Sequence, residues 1–261
     1  MTDAGSGAPV RYEVADGVAR VVLDAPEARN VLTGESLRLF SDALDRAGLD
    51  DAVRVVVIAA TGRAFCAGAD LRGTGGEAAD FTARYTGALT RLLDHPKPTN
   101  PRVQGHVAGG GNGLVAGADL SVAVADAKLA FSEVRVGAVP AIVSVVALAR
   151  IPRAQAAELF LTGERVSAER AQQAGLLTRV VPDVDALDEA VDAWVAQLRL
   201  GGPEAMRRTK EVLRRVPQME RGEAFAWTEQ VSAAAFSSQE AAEGMAAFVQ
   251  RRPPAWAPSA P

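Results

Sequence analysis

Residues 101–123, PRVQGHVAGGGNGLVAGADLSVA, decide the fold of this chain. The segment predicts a strand around Pro101 to Gly105 and then a glycine-rich turn at Ala108–Gly113. A helix opens at that turn, and a further buried strand follows over Leu120–Ala125. This order of strand, turn, helix and strand is typical of an α/β protein.

A second glycine-rich turn occurs earlier in the chain, at Cys66–Leu71 (CAGADL). It follows VRVVVIAA (Val53–Ala60), a continuous apolar run that predicts a strand covered on both faces. A helix is predicted after it, from about Asp80 to Leu93. Because strands, turns and helices alternate, we expect a layered α/β core.

The two ends of the chain predict different kinds of secondary structure. The N-terminal part predicts a hairpin of Val10–Val14 and Val18–Leu23 around an Asp16-Gly17 turn. Beyond Arg153 most of the sequence has helical spacing, which predicts a helical region at the C-terminal end.

Composition excludes several classes of protein. The 261 residues carry a net charge of −4 and are 48% hydrophobic. This balance argues against nucleic acid as a partner, since such proteins usually carry a basic excess. Cys66 is the only cysteine, so no intrachain disulfide can form, and one cysteine with two histidines cannot make a usual zinc site. With no long apolar run and no signal peptide pattern, we expect a cytoplasmic protein without a membrane partner.

The two glycine-rich turns suggest a binding site for a carbonyl oxygen. Glycine allows close approach of a ligand to the backbone, and the start of a helix leaves N–H groups without partners. Two such turns facing each other would present two N–H donors to one oxygen that gains negative charge, which is an oxyanion hole. The alternative is that both are tight turns needed only for packing.

Glu133 is the main candidate for acid–base chemistry. It lies between two apolar stretches, LAF before it and VRVG after it, so we expect it to be partly buried. Burial would raise its pKa towards a value useful for a general acid or base. The alternative is a surface glutamate paired with Arg135.

Together these motifs resemble the crotonase superfamily, which includes the enoyl-CoA hydratases and isomerases. The blocks that carry the resemblance are PEARNVL, RAFCAGADL, KPTNPRVQGHVAGGGNGLVAGADLSVA, FSEVRVGAVPA, LFLTGERVSAERAQQAGLLTRVVP and EGMAAFVQRRPP. They follow one another in family order from about Val10 to Pro254. The resemblance implies a spiral of β-β-α repeats in residues 1–200, a helical region and extended tail in residues 201–261, and a homotrimer or dimer of trimers.

The resemblance also implies the chemistry. The substrate would be an acyl-CoA thioester, with CoA arriving as part of it and with neither a metal nor a separate cofactor. The N–H groups of Ala69 and Gly110 would hold the thioester oxygen, and Glu133 would act as general acid and base. The other residues that the resemblance places beside the substrate, from this subunit or a neighbouring one, are Ala28, Arg29, Ala67, Asp70, Leu71, Arg72, Gly113, Phe248 and Arg251.

One position departs from the family pattern. Typical hydratases carry two glutamates, and Gly113 stands where the first is usual. We expect an enoyl-CoA hydratase that works with Glu133 alone. The same groups would suit a Δ3,Δ2-enoyl-CoA isomerase, which needs one carboxylate to move a proton. An acyl-CoA hydrolase and a non-catalytic acyl-CoA-binding subunit are further alternatives.

Overall fold

The computed structural model describes residues 7–70 and 74–258, with the backbone alone for residues 74–78. The described strands form two sheets, and most of the strands are short. In chain order they are β1 (Val10–Ala15), β2 (Val18–Leu23), β3 (Val55–Ala60), β4 (Ala64–Cys66), β5 (Thr99–Val103), β6 (His106–Ala108), β7 (Val122–Val124), β8 (Lys128–Ala130), β9 (Val166–Ser167) and β10 (Arg179–Val181).

Helices occupy most of the rest of the described chain. They are α1 (Gly34–Leu49), α2 (Thr74–Asp94), α3 (Gly111–Ala116), α4 (Ala141–Ala147), α5 (Arg153–Thr162), α6 (Ala168–Gln173), α7 (Val184–Leu198), α8 (Pro203–Arg215), α9 (Arg221–Phe236) and α10 (Gln239–Gln250). The hairpin and the C-terminal helices agree with the sequence predictions. Helix α2 begins six residues earlier than predicted, at Thr74 rather than Asp80.

The two sheets are connected as a spiral. The larger has the order β1-β2-β3-β5-β7-β10 and the smaller β4-β6-β8-β9. Only the β1/β2 and β8/β9 pairs are antiparallel among the described pairs. Successive units β3-β4-α2, β5-β6-α3 and β7-β8-α4 each place one strand in each sheet before a helix. The predicted spiral of β-β-α repeats is therefore confirmed.

The core lies between the sheets and the helices that cover them. Residues 55–58 of β3 have no exposed surface, as expected for a strand covered on both faces. Helix α1 packs on this layer through side chains such as Leu37, Phe40 and Leu44. Its start is held by a capping box, in which Thr33 and Ser36 each accept a hydrogen bond from the other's backbone N–H.

The C-terminal region contacts the spiral through partly buried polar groups. The Arg54 guanidinium donates to the carbonyl oxygens of Gly201 and Trp256. The Lys210 ammonium donates to Asp119 Oδ2 over 2.6 Å, and that oxygen also accepts from the Thr99 N–H. The division at residue 200 stays a prediction. Among the described helices, none is both long and apolar enough to cross a membrane.

Candidate active site

The two glycine-rich turns meet at the ends of neighbouring strands. The first follows β4 and the second follows β6, and these strands are paired in parallel. Gly68 has φ +87° and Gly109 has φ +50°, conformations that favour glycine. A Cβ on Gly109 would lie 3.8 Å from the Gly68 Cα, so the two turns are in contact.

Backbone N–H groups at this contact differ in their hydrogen bonding. The N–H groups of Ala67, Asp70 and Gly109 donate to the carbonyl oxygens of Arg29, Leu32 and Ala130, respectively. By contrast, neither the Ala69 N–H nor the Gly110 N–H donates to any residue that the structure describes. An unpaired N–H in a protected position has a strong tendency to bind an acceptor.

Ala69 and Gly110, the two residues with unpaired N–H groups, both line one cavity of about 490 Å³. Most of its lining is apolar, and Glu133 is the only charged side chain among the described residues that line it. The lining residues are Leu32, Ala67, Gly68, Ala69, Phe81, Thr82, Tyr85, Gly109, Gly110, Ser132, Glu133, Val136, Ala138, Val139, Pro140, Ala141, Ile142 and Val143. The cavity therefore combines an apolar wall with two N–H donors and one carboxyl group.

Glu133 opens a single turn of 3₁₀-helix, Glu133–Val136, that follows β8. Its Oε2 is buried and has no hydrogen-bond partner among the described residues, and burial raises the pKa of the carboxyl group. A Cβ on Gly109 would lie 3.7 Å from Glu133 Oε1, so the carboxyl group is next to the second turn. Arg135 instead donates its Nε–H to the Thr162 carbonyl oxygen, so the surface ion-pair interpretation of Glu133 does not hold.

The loop that contains Ala28 and Arg29 is held against the first turn. Arg29 has φ +55° and accepts the Ala67 N–H through its carbonyl oxygen. Asn30, at φ +54°, is buried, and its side-chain amide donates to the carbonyl oxygens of Thr61 and Ala64. Because asparagine tolerates this conformation well, Asn30 fixes the loop that carries Ala28 and Arg29, two of the residues expected to contact the substrate.

The other predicted substrate-contact residues take different positions. Ala67 lines the cavity, whereas Gly113 is buried in α3 and does not line it. Phe248 is 85% exposed on α10, and neither it nor Arg251 lines the cavity within one chain. Leu71 and Arg72 lie outside the described residues. The substrate contacts of all these residues stay predictions.

Several lining residues were missed by the sequence analysis, above all Phe81 and Tyr85 on α2. Their rings stack with centroids 6.2 Å apart. The signal was present, since residues four apart on a helix share one face. Sequence spacing alone did not tell which face of this helix meets the glycine-rich turns.

Comparison with protein families gives one match over nearly the whole chain. The family described as enoyl-CoA hydratase/isomerase matches residues 13–259. A protein of Thermus thermophilus, provisionally named an enoyl-CoA hydratase, is 36% identical over 91% of this chain and 96% of its own length. The enoyl-CoA hydratase EchA19 of Mycobacterium tuberculosis is 32% identical over 97% of this chain and 98% of its own.

Solved structures give the same result. The crystal structure of an enoyl-CoA hydratase from Mycobacterium smegmatis superposes with a TM-score of 0.89. It is 32% identical in sequence, and the match covers 95% of this chain and 98% of the other.

Proposed function

This chain belongs to the enoyl-CoA hydratase/isomerase family, and we propose that it is an enoyl-CoA hydratase that adds water reversibly to a 2-enoyl-CoA. One observation carries the proposal. Glu133, with a buried carboxylate oxygen that lacks a partner among the described residues, lines the same cavity as the unpaired N–H groups of Ala69 and Gly110. The names of the relatives described above support hydration.

The two N–H groups would stabilise the negative charge that develops on the thioester oxygen. When water attacks C3 of the enoyl group, the electron pair of the double bond moves towards the thioester and forms an enolate. Donors that are already oriented stabilise this charge without reorganising, and losing one typically costs on the order of 3 kcal/mol in the transition state. Ala69 and Gly110 suit this role because their N–H groups have no competing partner among the described residues.

Glu133 would move the proton. As the oxygen of water bonds to C3, the carboxylate takes a proton from that water. It then returns a proton to C2, which collapses the enolate to the saturated thioester, so that one water is added in total. Burial raises the pKa of this carboxyl group above its ordinary value, which makes it a stronger base than an exposed glutamate and suits it to take a proton from water.

Isomerisation is the second candidate, and a specific observation favours it. Glu133 is the only carboxylate among the described residues lining the cavity. A Δ3,Δ2-enoyl-CoA isomerase needs only one base, which takes a proton from C2 and returns one to C4 of the dienolate. Both reactions use the same N–H groups, so the acyl group and the placement of water decide between them.

The residues that line the cavity also indicate which kind of acyl group it can accommodate. Apart from Glu133, the described residues of the cavity are apolar or carry neutral polar groups. We infer that this wall takes an uncharged acyl chain, because a buried charge without a partner would be costly.

A paired assay tests the proposal. The purified protein is incubated with crotonyl-CoA and, separately, with a 3-enoyl-CoA, and the products are identified by mass spectrometry. We expect an 18 Da mass increase with crotonyl-CoA. Conversion of the 3-enoyl to the 2-enoyl ester without hydration would instead establish an isomerase, and release of free CoA would establish a hydrolase. Binding of the esters without turnover would favour the non-catalytic subunit.

A further inference from the structure

Tyr85 is a buried tyrosine that takes part in none of the steps of the proposed reaction. Only 5% of its surface is exposed, and it lines the cavity from helix α2. Its hydroxyl donates to the Gly110 carbonyl oxygen over 2.6 Å. The ring lies against the same residue, since a Cβ on Gly110 would be 3.2 Å from the Tyr85 Cζ.

The hydroxyl also fills the space of a side chain at position 113. A Cβ on Gly113 would lie 2.1 Å from the Tyr85 Oη, which is far inside contact distance. The Gly113 N–H donates to the same Gly110 carbonyl oxygen over 3.0 Å. The Tyr85 hydroxyl and the Gly113 N–H therefore both donate to the Gly110 carbonyl oxygen, whereas the Gly110 N–H donates to none of the described residues.

The charge state of Tyr85 makes it a constant donor. Burial is the main cause that raises its pKa, and the nearby Cys66 and Glu133 groups raise it further. The phenol therefore stays protonated throughout the working pH range. Its hydroxyl can therefore donate a hydrogen bond to the Gly110 carbonyl oxygen whether Glu133 is ionised or neutral.

We propose that Tyr85 is a positioning residue that orients the Gly110 N–H towards the thioester oxygen. The hydroxyl fixes the peptide plane that contains the Gly110 carbonyl group and so restricts the ψ of Gly110, a residue that otherwise has the widest choice of backbone conformations. The other plane of the residue, which carries the Gly110 N–H, is held because the Gly109 carbonyl oxygen accepts from Asn112. The proposal rests on the proposed function for its effect on turnover. Its structural part, the restraint on residues 108–113, does not depend on a substrate.

The test compares the two tyrosines of the chain. Tyr85→Phe removes the hydroxyl that binds Gly110. Tyr12→Phe is the matched control, because the Tyr12 hydroxyl is also buried but has no hydrogen-bond partner among the described residues. We expect Tyr85→Phe to lower kcat roughly 10- to 100-fold with a KM within about threefold of the parent value, as small misplacements of a catalytic group do. Tyr12→Phe should leave both constants unchanged.

Two further measurements separate positioning from a loss of folding. The first is hydrogen exchange of residues 108–113 in the ligand-free protein, followed by mass spectrometry. The second is the red shift in absorbance of bound cinnamoyl-CoA, which reports polarisation of the thioester carbonyl. Tyr85→Phe should accelerate the exchange and reduce the red shift, whereas Tyr12→Phe should change neither. If Tyr85→Phe does not fold, Gly113→Ala displaces the hydroxyl with Tyr85 retained and should give the same two changes.

The outcomes distinguish this proposal from the proposed function. Unchanged exchange at residues 108–113 in Tyr85→Phe, or in Gly113→Ala if that variant replaces it, would overturn the role of Tyr85, whatever the activity. A second outcome is faster exchange in the variant, with a parent protein that neither turns over enoyl-CoA esters nor shifts the absorbance of cinnamoyl-CoA. That outcome would overturn the proposed function and leave the restraint on the turn standing.

Discussion

Gly68 lies so close to Ala108 that a side chain cannot be placed between them. A Cβ on Gly68 would be 2.9 Å from the Ala108 carbonyl oxygen, and the φ of Gly68 is +87°. Both facts demand glycine, and Gly68 immediately precedes the unpaired N–H of Ala69. The contact sets the spacing between the two turns and therefore between the two proposed donors.

Gly68→Ala should lower kcat by about 100-fold, because it pushes the turns apart and one oxyanion donor typically contributes a factor of roughly 100 to 1,000. Gly17→Ala is the matched control. Gly17 also has a positive φ of +73°, but its Cβ would meet nothing closer than 3.4 Å. Both variants should lose about 1 kcal/mol or more of stability from backbone strain. Steady-state kinetics, measured together with thermal unfolding, would separate the loss of activity from the loss of stability. Equal activity of the two variants would contradict the prediction.

Glu133→Gln should lower kcat by roughly 10²–10⁴, the usual contribution of a general acid or base, and should leave substrate binding nearly intact. The parent enzyme should lose activity as the pH falls through the pKa of Glu133. Because burial raises that pKa, the midpoint of the acid limb should lie above the ordinary value of 4.5. A pH profile of kcat/KM measures it. A fully active Glu133→Gln enzyme would remove Glu133 from the mechanism.

The same substitution should stabilise the protein at neutral pH. A carboxyl group whose pKa is raised by folding costs stability when it is ionised. That cost is absent below the ordinary value of 4.5 and reaches its full size above the folded pKa. Glu133→Gln should therefore unfold at a higher temperature than the parent at about pH 7.5, and the difference should shrink towards about pH 4. A difference independent of pH would show that ionisation of Glu133 is not its cause.

Gly113→Glu should not create the glutamate pair typical of the family. The new Cβ would lie 2.1 Å from the Tyr85 Oη and 3.3 Å from the Leu89 Cδ1. We expect a loss of about 1–3 kcal/mol, as for other overpacked cores, and lower activity. In the presence of Tyr85→Phe the loss caused by Gly113→Glu should be smaller than in the parent, because the clashing hydroxyl is gone while the buried ring is kept. Thermal unfolding of the single and double variants checks this, and additive losses would contradict it.

The chain should assemble as a trimer or a dimer of trimers, as its family resemblance implies. The C-terminal helices leave Phe225, Phe236 and Phe248 exposed to solvent in the single chain, and association would bury such groups. Light scattering should give three or six times the 27.2 kDa of one chain. Phe248→Glu should weaken the assembly, whereas Leu49→Glu should not, although both side chains are 85% exposed. A mass of 27.2 kDa for the parent would refute the prediction.

Much of the fold could be predicted from local patterns. The apolar run before the first glycine-rich turn predicts β3, and the Asp16-Gly17 turn predicts the hairpin, because a buried strand and a tight turn each have a local chemical signature. Strands β4, β6 and β8 were missed. Each has three residues and is interrupted or flanked by glycine or charged residues, whereas the equally short β7 lies within the longer, mostly apolar run Leu120–Ala125.

The sequence by itself determined which groups could do chemistry, namely two glycine-rich turns and a glutamate between apolar stretches. Only the tertiary structure decided that the turns touch and that Glu133 shares a cavity with Ala69 and Gly110. It also decided that Tyr85 fills the space beside Gly113. Tyr85 and Gly113 are far apart along the chain, so no local pattern relates them. Their contact arises because α2 and α3 pack together, and that packing depends on how both sheets are connected.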